Sequence, residues 1–523
     1  MKKIFYNGTI LTLEDNLYEE AILIEDGIIK KIGSKEDILS LNDEDTELID
    51  LNGHTLMPGF IDSHSHIGQF ASILCFANIS GVKNYDELID KLVDYKENIG
   101  ENDWIIGYSY EHNFMEEKAH PTKDVLDKAS LTNPILVVHQ SGHMGVVNSK
   151  ALELLNITRE SIDPVGGKIG RVEGTNEPNG YLEETAFMGN LKMDQLLSPE
   201  VVFKSFEKAQ NIYLQNGITT AQDGLTNEQS FQLLKALSNM NQLKLDVISY
   251  VDIKNAKEVL NENKDYLDYH NHYKIGGYKI ILDGSPQAKT AWLSKPYEGE
   301  ETYQGYPVYK DEELKEYIKM ALDEKVQILA HTNGDAASEQ FIKIFEELGY
   351  ENNYRPVMIH AQTVRFDQLE RMNPLNMIAS FYVAHVYHFG DIHIKNLGER
   401  AKHISPIRSA IKNNIMYTMH QDTPVIMPNM LETIWCSVKR ITKNGVLLDD
   451  EKISVLEALK GVTINAAYQY FEENRKGTLK EGKLADMIIL DQNPLEVSID
   501  EIKNIKILET IKEGNVIYKL VND

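Results

Sequence analysis

The chain has 523 residues, of which 42% are hydrophobic and 25% charged, and its net charge at pH 7 is −27. The length exceeds one ordinary compact core, the composition is that of a soluble globular protein, and the acidic balance argues against nucleic acid or anionic lipid as the main partner, because phosphates call for a basic surface. Two distant cysteines, Cys75 and Cys436, exclude a disulfide framework and a cysteine-rich metal site, and no apolar run approaches the roughly twenty residues of a membrane span.

The start, M-K-K-I-F-Y-N-G-T-I-L-T-L, alternates polar and apolar residues. It reads as a strand and not as a signal peptide, since Asn7 and Gly8 break its short apolar run. A cytoplasmic protein is expected. Residues 21–33, A-I-L-I-E-D-G-I-I-K-K-I-G, are two apolar runs around Asp26-Gly27, a hairpin signal. Residues 508–519 repeat it at Gly514-Asn515, and 484–490, L-A-D-M-I-I-L, add a strand. Both ends are therefore strand-rich and are expected to pair into one small β domain.

Between the ends, strands and helices alternate. Eight strand-length segments follow in order: F-I-D-S-H-S-H (60–66), I-T-T-A-Q-D (218–223), L-D-V-I-S-Y-V (245–251) and Y-K-I-I-L-D (278–283), then Q-I-L-A-H-T (327–332), P-V-M-I-H-A (356–361), M-I-A-S-F-Y-V (377–383) and I-M-Y-T-M-H-Q-D (415–422). Helical periods such as 311–322 and 337–348 separate most of them. Eight such units point to an α/β fold, a (β/α)8 TIM-type barrel. Residues 68–200 are too long for a crossover and predict an inserted, lid-like subdomain, with the Gly/Pro/Asn-rich stretch 165–180 as a loop over the barrel mouth.

His64 and His66 sit at the end of the first strand segment. Alternation along a strand puts both on one side, about 7 Å apart at the backbone, close enough to converge on one ion. An isolated H-x-H pair is more often two hydrogen-bonded core or loop histidines. The other strand ends change the balance: His331 closes strand five, His360 strand six and Asp422 strand eight, and Lys279 lies in strand four. All are expected at one barrel mouth. An ammonium among Tyr278, Ile280, Ile281 and Leu282 is costly unless paired, neutral or modified. A neutral lysine amine adds CO2 to give a carbamate, an anionic ligand able to bridge two cations. Four histidines, a carbamate and an aspartate make two sites with open positions for water.

These segments resemble the amidohydrolase superfamily of metal-dependent hydrolases, through P-G-F-I-D-S-H-S-H and the return G-T-L-K-E-G-K-L-A-D-M-I-I-L (477–490). Within it the chain resembles the bacterial branch that includes N-substituted formamide deformylase. The matching stretches are S-G-H-M-G-V-V-N-S-K-A-L (141–152), G-I-T-T-A-Q-D-G (217–224), Y-K-I-I-L-D-G-S-P-Q-A-K-T-A-W-L (278–293), A-H-T-N-G-D-A-A (330–337) and 390–401. The resemblance implies a barrel over 59–473, a β-sandwich built from 1–58 and 474–523, and two divalent cations of zinc type. It implies His64, His66 and Asp422 on the more buried ion, His331 and His360 on the more exposed one, and Lys279 as a bridging carbamate. Asp422 is then the catalytic proton shuttle in hydrolysis of an amide-type C–N bond, with a deaminase, an ester or lactone hydrolase on the same scaffold and a non-catalytic relative as alternatives. Two departures, Gln421 before the aspartate and Phe381-Tyr382 in place of a Gln-Pro pair, read as pocket changes.

His143, Asp283, Trp292, His385 and Asp391 are candidate substrate-binding residues, Asp283 also as a support for the carbamate side. Trp104, Tyr110, Trp292 and Tyr387 are either pocket wall or plain core, core being the commoner role. A small-molecule substrate and a possible homodimer complete the expectation.

Overall fold

The structure, a computed structural model, describes residues 2–189, 191, 196–350 and 353–521. Eight strands lie side by side in sequence order, all parallel: Phe60–Ile61, Ile218–Thr226, Asp246–Asp252, Tyr273–Ile281, Gln327–Thr332, Val357–His360, Ile378–Phe381 and Tyr417–Met419. Most of their residues are buried, as near-continuous apolar runs in a parallel sheet require. Asp311–Asp323 carries Asp311, Glu312 and Glu313 in its first turn, where the helix dipole favours acids, and turns Leu314, Ile318 and Ala321 inward.

The register delivers the candidate side chains to one end of this sheet. Lys279 pairs with Leu329, Ile281 with His331, Thr332 with His360, and His360 with Phe381. No ladder joins the first and last strands among the described residues. Beyond both strands, however, the Asp422 N–H donates to the His64 carbonyl (3.2 Å) and the His66 N–H to the Thr423 carbonyl (2.8 Å). The sheet is thus curled, with its edges bridged by loops. One expectation is corrected here. The first strand stops at Ile61, so His64 and His66 do not share a face through strand alternation. They lie in a buried loop pinned by Asp422, Thr423 and Gln222.

At the opposite end of the same strands lies a buried ionic network. Lys476 Nζ reaches Asp246 Oδ2 (2.5 Å) and Glu472 Oε2 (2.6 Å), and Lys512 Nζ reaches Asp246 Oδ2 (2.9 Å) and Asp486 Oδ2 (2.7 Å).

The two chain ends meet in one eight-stranded sheet: Lys2–Leu11, Tyr18–Glu25, Ile28–Gly33, Thr46–Asp50, Thr55–Pro58, Met487–Leu490, Ile507–Lys512 and Asn515–Lys519. Both hairpins turn on paired positive φ values, Asp26 (50°) with Gly27 (79°) and Glu513 (48°) with Gly514 (73°), the conformation that matches strand twist. The second turn is one residue earlier than the sequence suggests.

Residues 70–209 form a separate compact unit. Its six-stranded sheet runs Gly167–Arg171, Pro178–Glu184, Met144–Val147, Ile135–His139, Ile105–Tyr110, Ala77–Asn78. The stretch expected as a loop, 165–180, contains one strand and the start of its hairpin partner. The chain turns between Val172 and Glu177, where Gly174 has φ 72°.

Candidate active site

Loops and strand ends bring six of the predicted side chains into one cluster. His66 Nε2 lies 3.2 Å and His64 Nε2 3.4 Å from Asp422 Oδ1. Lys279 Nζ is 3.1 Å from His64 Nε2, His360 Nε2 is 4.0 Å from Asp422 Oδ2, and His331 Nδ1 is 3.0 Å from His360 Nε2. His64, Lys279 and His360 are buried, whereas the side chains of His66, His331 and Asp422 keep 19%, 20% and 14% exposure, so the cluster opens to solvent on that side. His360 (φ 74°) and Asp422 (φ 55°) both sit in the left-handed region, a cost of about 1–3 kcal/mol each that persists only where the surroundings fix the backbone.

The hydrogen-bond partners decide which atoms face the centre. Gln222 donates its amide N–H groups to the Ser63 carbonyl and to Tyr470 Oη, both at 2.9 Å, so its oxygen accepts from His64 Nδ1–H at 2.6 Å. His64 Nε2 therefore carries a lone pair. His331 Nε2–H donates to the Gly284 carbonyl (3.0 Å), which leaves a lone pair on Nδ1. His64 Nε2 and Asp422 Oδ1 are thus two acceptors 3.4 Å apart with no proton between them. A cation relieves that arrangement, and imidazole nitrogen with carboxylate oxygen is the donor set of zinc-type ions. The residues fit a divalent metal.

Electrostatics favour the same protonation states. Burial holds His64 and His360 well below the ordinary imidazole range and His331 down to about 4, with Lys279 adding to the effect on His64 and His331. Burial lowers Lys279 to about 7, against a smaller upward pull from Asp422. Burial also pushes Asp422 up, but the hydrogen bond and charge of His66, followed by His420 and Lys279, prevail and keep it below the usual carboxylate range.

The remaining predicted residues fall elsewhere. Asp283 is buried and accepts backbone N–H groups from Asn333 (2.9 Å), Gly334 (2.7 Å) and Trp292 (2.9 Å), with Oδ1 3.7 Å from His331 Nε2. It supports the His331 loop, not the lysine. Trp292 is tied to it through its backbone. His385 is buried, with Nδ1 3.1 Å from His393 Nε2 and its ring against Tyr382. Asp391 caps a loop at Thr442 Oγ1 (2.7 Å) and the Asn444 N–H (3.2 Å). His143, in the 70–209 unit, is more than half exposed and pairs with Glu184 at 3.1 Å. Trp104 and Tyr110 pack in that unit's core clusters, and Tyr387 packs on Trp435. Gln421 is buried and donates to Asn429 O and Thr433 Oγ1, so it braces the following helix, Met430–Lys439.

Sequence reasoning missed His420, fully buried, with Nε2 3.1 Å from His360 Nδ1. The signal was available: His420 is two residues before Asp422 in the segment 415–422 read as the eighth strand, although the observed strand stops at Met419.

A second histidine–carboxylate group, Glu111, His112 and His139, arises where two adjacent strand ends of the 70–209 unit meet. Here one of the contacts carries a proton. The Ser141 N–H points at His139 Nδ1 (3.2 Å), so Nε2–H donates to Glu111 Oε2 (3.1 Å). That carboxylate contact needs no cation.

A model of the amidohydrolase family matches residues 47–518. The chain is 26% identical to the putative amidohydrolase YtcJ of Bacillus subtilis over 99% of this chain and 100% of that protein. It is 24% identical to N-substituted formamide deformylase of Arthrobacter pascens over 98% and 97%. Among solved structures, an uncharacterized metal-dependent hydrolase from Pyrococcus horikoshii aligns with a TM-score of 0.74 and 26% identity, covering 96% of this chain and 99% of that one. With a cation-compatible cluster at the end of a curled parallel sheet and a family match over most of its length, the chain belongs to the amidohydrolase family, as a metal-dependent hydrolase.

Proposed function

We propose that this protein hydrolyses an amide-type C–N bond, in an N-acyl, N-formyl or cyclic amide, at two divalent cations of zinc type held by His64, His66, Lys279, His331, His360 and Asp422. The observation that carries the reading is Lys279. It is 1% exposed, and its hydrogen-bond partner among the described residues is the acceptor nitrogen of His64. Burial brings it to about 7, so a large fraction is neutral amine at physiological pH. A neutral amine attacks CO2 through its lone pair and releases one proton, forming a carbamate whose two oxygens suit a bridge between cations.

When bound, the cations supply Lewis acidity for the substrate carbonyl and lower the pKa of water towards neutrality. The protein groups do the rest. His64, His331 and His360 stay neutral and offer lone pairs. Asp422, ionised at neutral pH and partly open to solvent, accepts the proton of the attacking water and returns it to the leaving nitrogen, so that a neutral amine departs. The name of the Arthrobacter pascens relative supports an N-formyl or related amide. The reading includes a closed (β/α)8 barrel over 59–473 carrying the 68–200 insertion, a β-sandwich from 1–58 and 474–523, a small-molecule substrate and a homodimer.

The test is a panel of N-formyl, N-acyl and cyclic amides assayed before and after chelation. Turnover of at least one amide, abolished by chelator and restored by zinc, is expected. Turnover that survives complete removal of metal would overturn the reading.

A further inference from the structure

His420 forms the middle of a buried relay whose proton directions can be followed from one end. Ser63 Oγ donates to the Met419 carbonyl (3.1 Å), which uses its only proton. Ser380 Oγ, 3.2 Å from Ser63 Oγ, must then donate to it. With that proton committed, Ser380 Oγ accepts from His420 Nδ1–H at 2.9 Å. With its Nδ1–H committed to Ser380, the neutral imidazole of His420 has its lone pair on Nε2. That lone pair accepts from His360 Nδ1–H at 3.1 Å. The free electron pair of His360 is thereby on Nε2, the atom that faces His331 Nδ1 at 3.0 Å and Asp422 at 4.0 Å. Every member is buried: Ser63, Ser380 and His420 at 0% and His360 at 3%. Water therefore does not compete for these bonds.

We infer that His420, oriented by Ser380 and Ser63, is a positioning residue that locks His360 in the tautomer whose Nε2 faces the cation site. The inference rests on the functional reading above. The relay has a built-in direction. Without the Ser380 hydroxyl, His420 Nδ1–H loses its acceptor, the opposite His420 tautomer is no longer penalised, and Nε2–H can donate to His360 Nδ1. The proton of His360 would then move to Nε2 and occupy the position meant for a cation. Second-sphere partners of metal-bound histidines commonly change affinity by about 10–100-fold.

The experiment uses full-length protein and zinc alone. Nitrogen-15 NMR of the metal-free protein reads the His360 tautomer, and equilibrium dialysis reads zinc per chain and its affinity. Protonation of His360 at Nδ1 is expected in the wild type. In Ser380→Ala and His420→Leu one of two zinc affinities should fall about 10–100-fold, and His420→Gln, whose amide oxygen is able to accept from His360 Nδ1–H, should restore most of it. Ser380→Ala removes one oxygen and decides the matter if His420→Leu does not fold. Protonation of wild-type His360 at Nε2, or unchanged affinities in Ser380→Ala, would overturn the inference while leaving the functional reading intact. A wild-type chain that binds no zinc would overturn that reading itself.

Discussion

The two ends of the same parallel strands bury lysines in opposite ways. Lys476 and Lys512 are 1% and 3% exposed, and each meets two carboxylates within 2.9 Å. Burial alone would lower both, yet Asp246 with Glu472 raises Lys476, and Asp246 with Asp486 raises Lys512. Lys279 is as deeply buried, has a histidine nitrogen and no carboxylate as its hydrogen-bond partner among the described residues, and falls to about 7. Depth does not make a lysine reactive. What decides is whether the fold supplies carboxylates to hold its charge. One end of the sheet is therefore built to fasten the C-terminal strands, and the other to keep an amine available.

The largest effect that sharpens this contrast belongs to the reactive end. Asp422→Asn should lower kcat by about 10²–10⁴-fold with the fold retained, read by steady-state kinetics and calorimetry. A variant with near-normal turnover would remove the proton-shuttle role. At the fastened end, Asp246→Asn should do the reverse. It takes one of two carboxylates from each of two buried ammonium groups and should cost about 3–5 kcal/mol of stability in denaturant titration, while the folded fraction keeps its turnover.

Stability against pH gives a smaller and signed difference. Folded Lys279 is neutral above about 7, whereas the unfolded lysine binds its proton up to 10.5. The unfolded state holds more protons in that window, so the metal-free protein gains stability as pH rises from 7 to 10, by up to about 1.4 kcal/mol per unit. Lys279→Met should flatten that slope, and an unaltered slope would mean that the lysine is not buried as a neutral amine. His331 and His420 behave alike at lower pH. Their folded values of about 4 and 3 lie below the ordinary 6.5, so stability present above pH 6.5 is lost as pH falls towards 4. The smallest effect is His143→Ala. An exposed pair with Glu184 should change stability by at most about 1 kcal/mol.

The order of the eight strands was legible because buried parallel strands leave uninterrupted apolar runs, as in Gln327–Thr332 and Val357–His360. The cluster was legible where a strand ends on a histidine. The route by which His64 and His66 reach it was not, because the strand stops at Ile61 and the loop is shaped by backbone bonds to residues 422 and 423. Asp283 reads as a partner of Lys279 by spacing, but the chain leaves the strand at Ile281 and the carboxylate turns to cap the 333–334 loop. Apart from Glu472 and Lys476, four residues apart, the fastening network joins residues 246, 476, 486 and 512 at separations where sequence spacing carries no geometric information.

The most direct measurement is carbon-13 NMR of the zinc-loaded protein prepared in labelled bicarbonate. One carbamate resonance per chain is expected, absent from Lys279→Met together with turnover and with the bridged zinc pair. A fully active, zinc-loaded wild type without that resonance would contradict this role of Lys279.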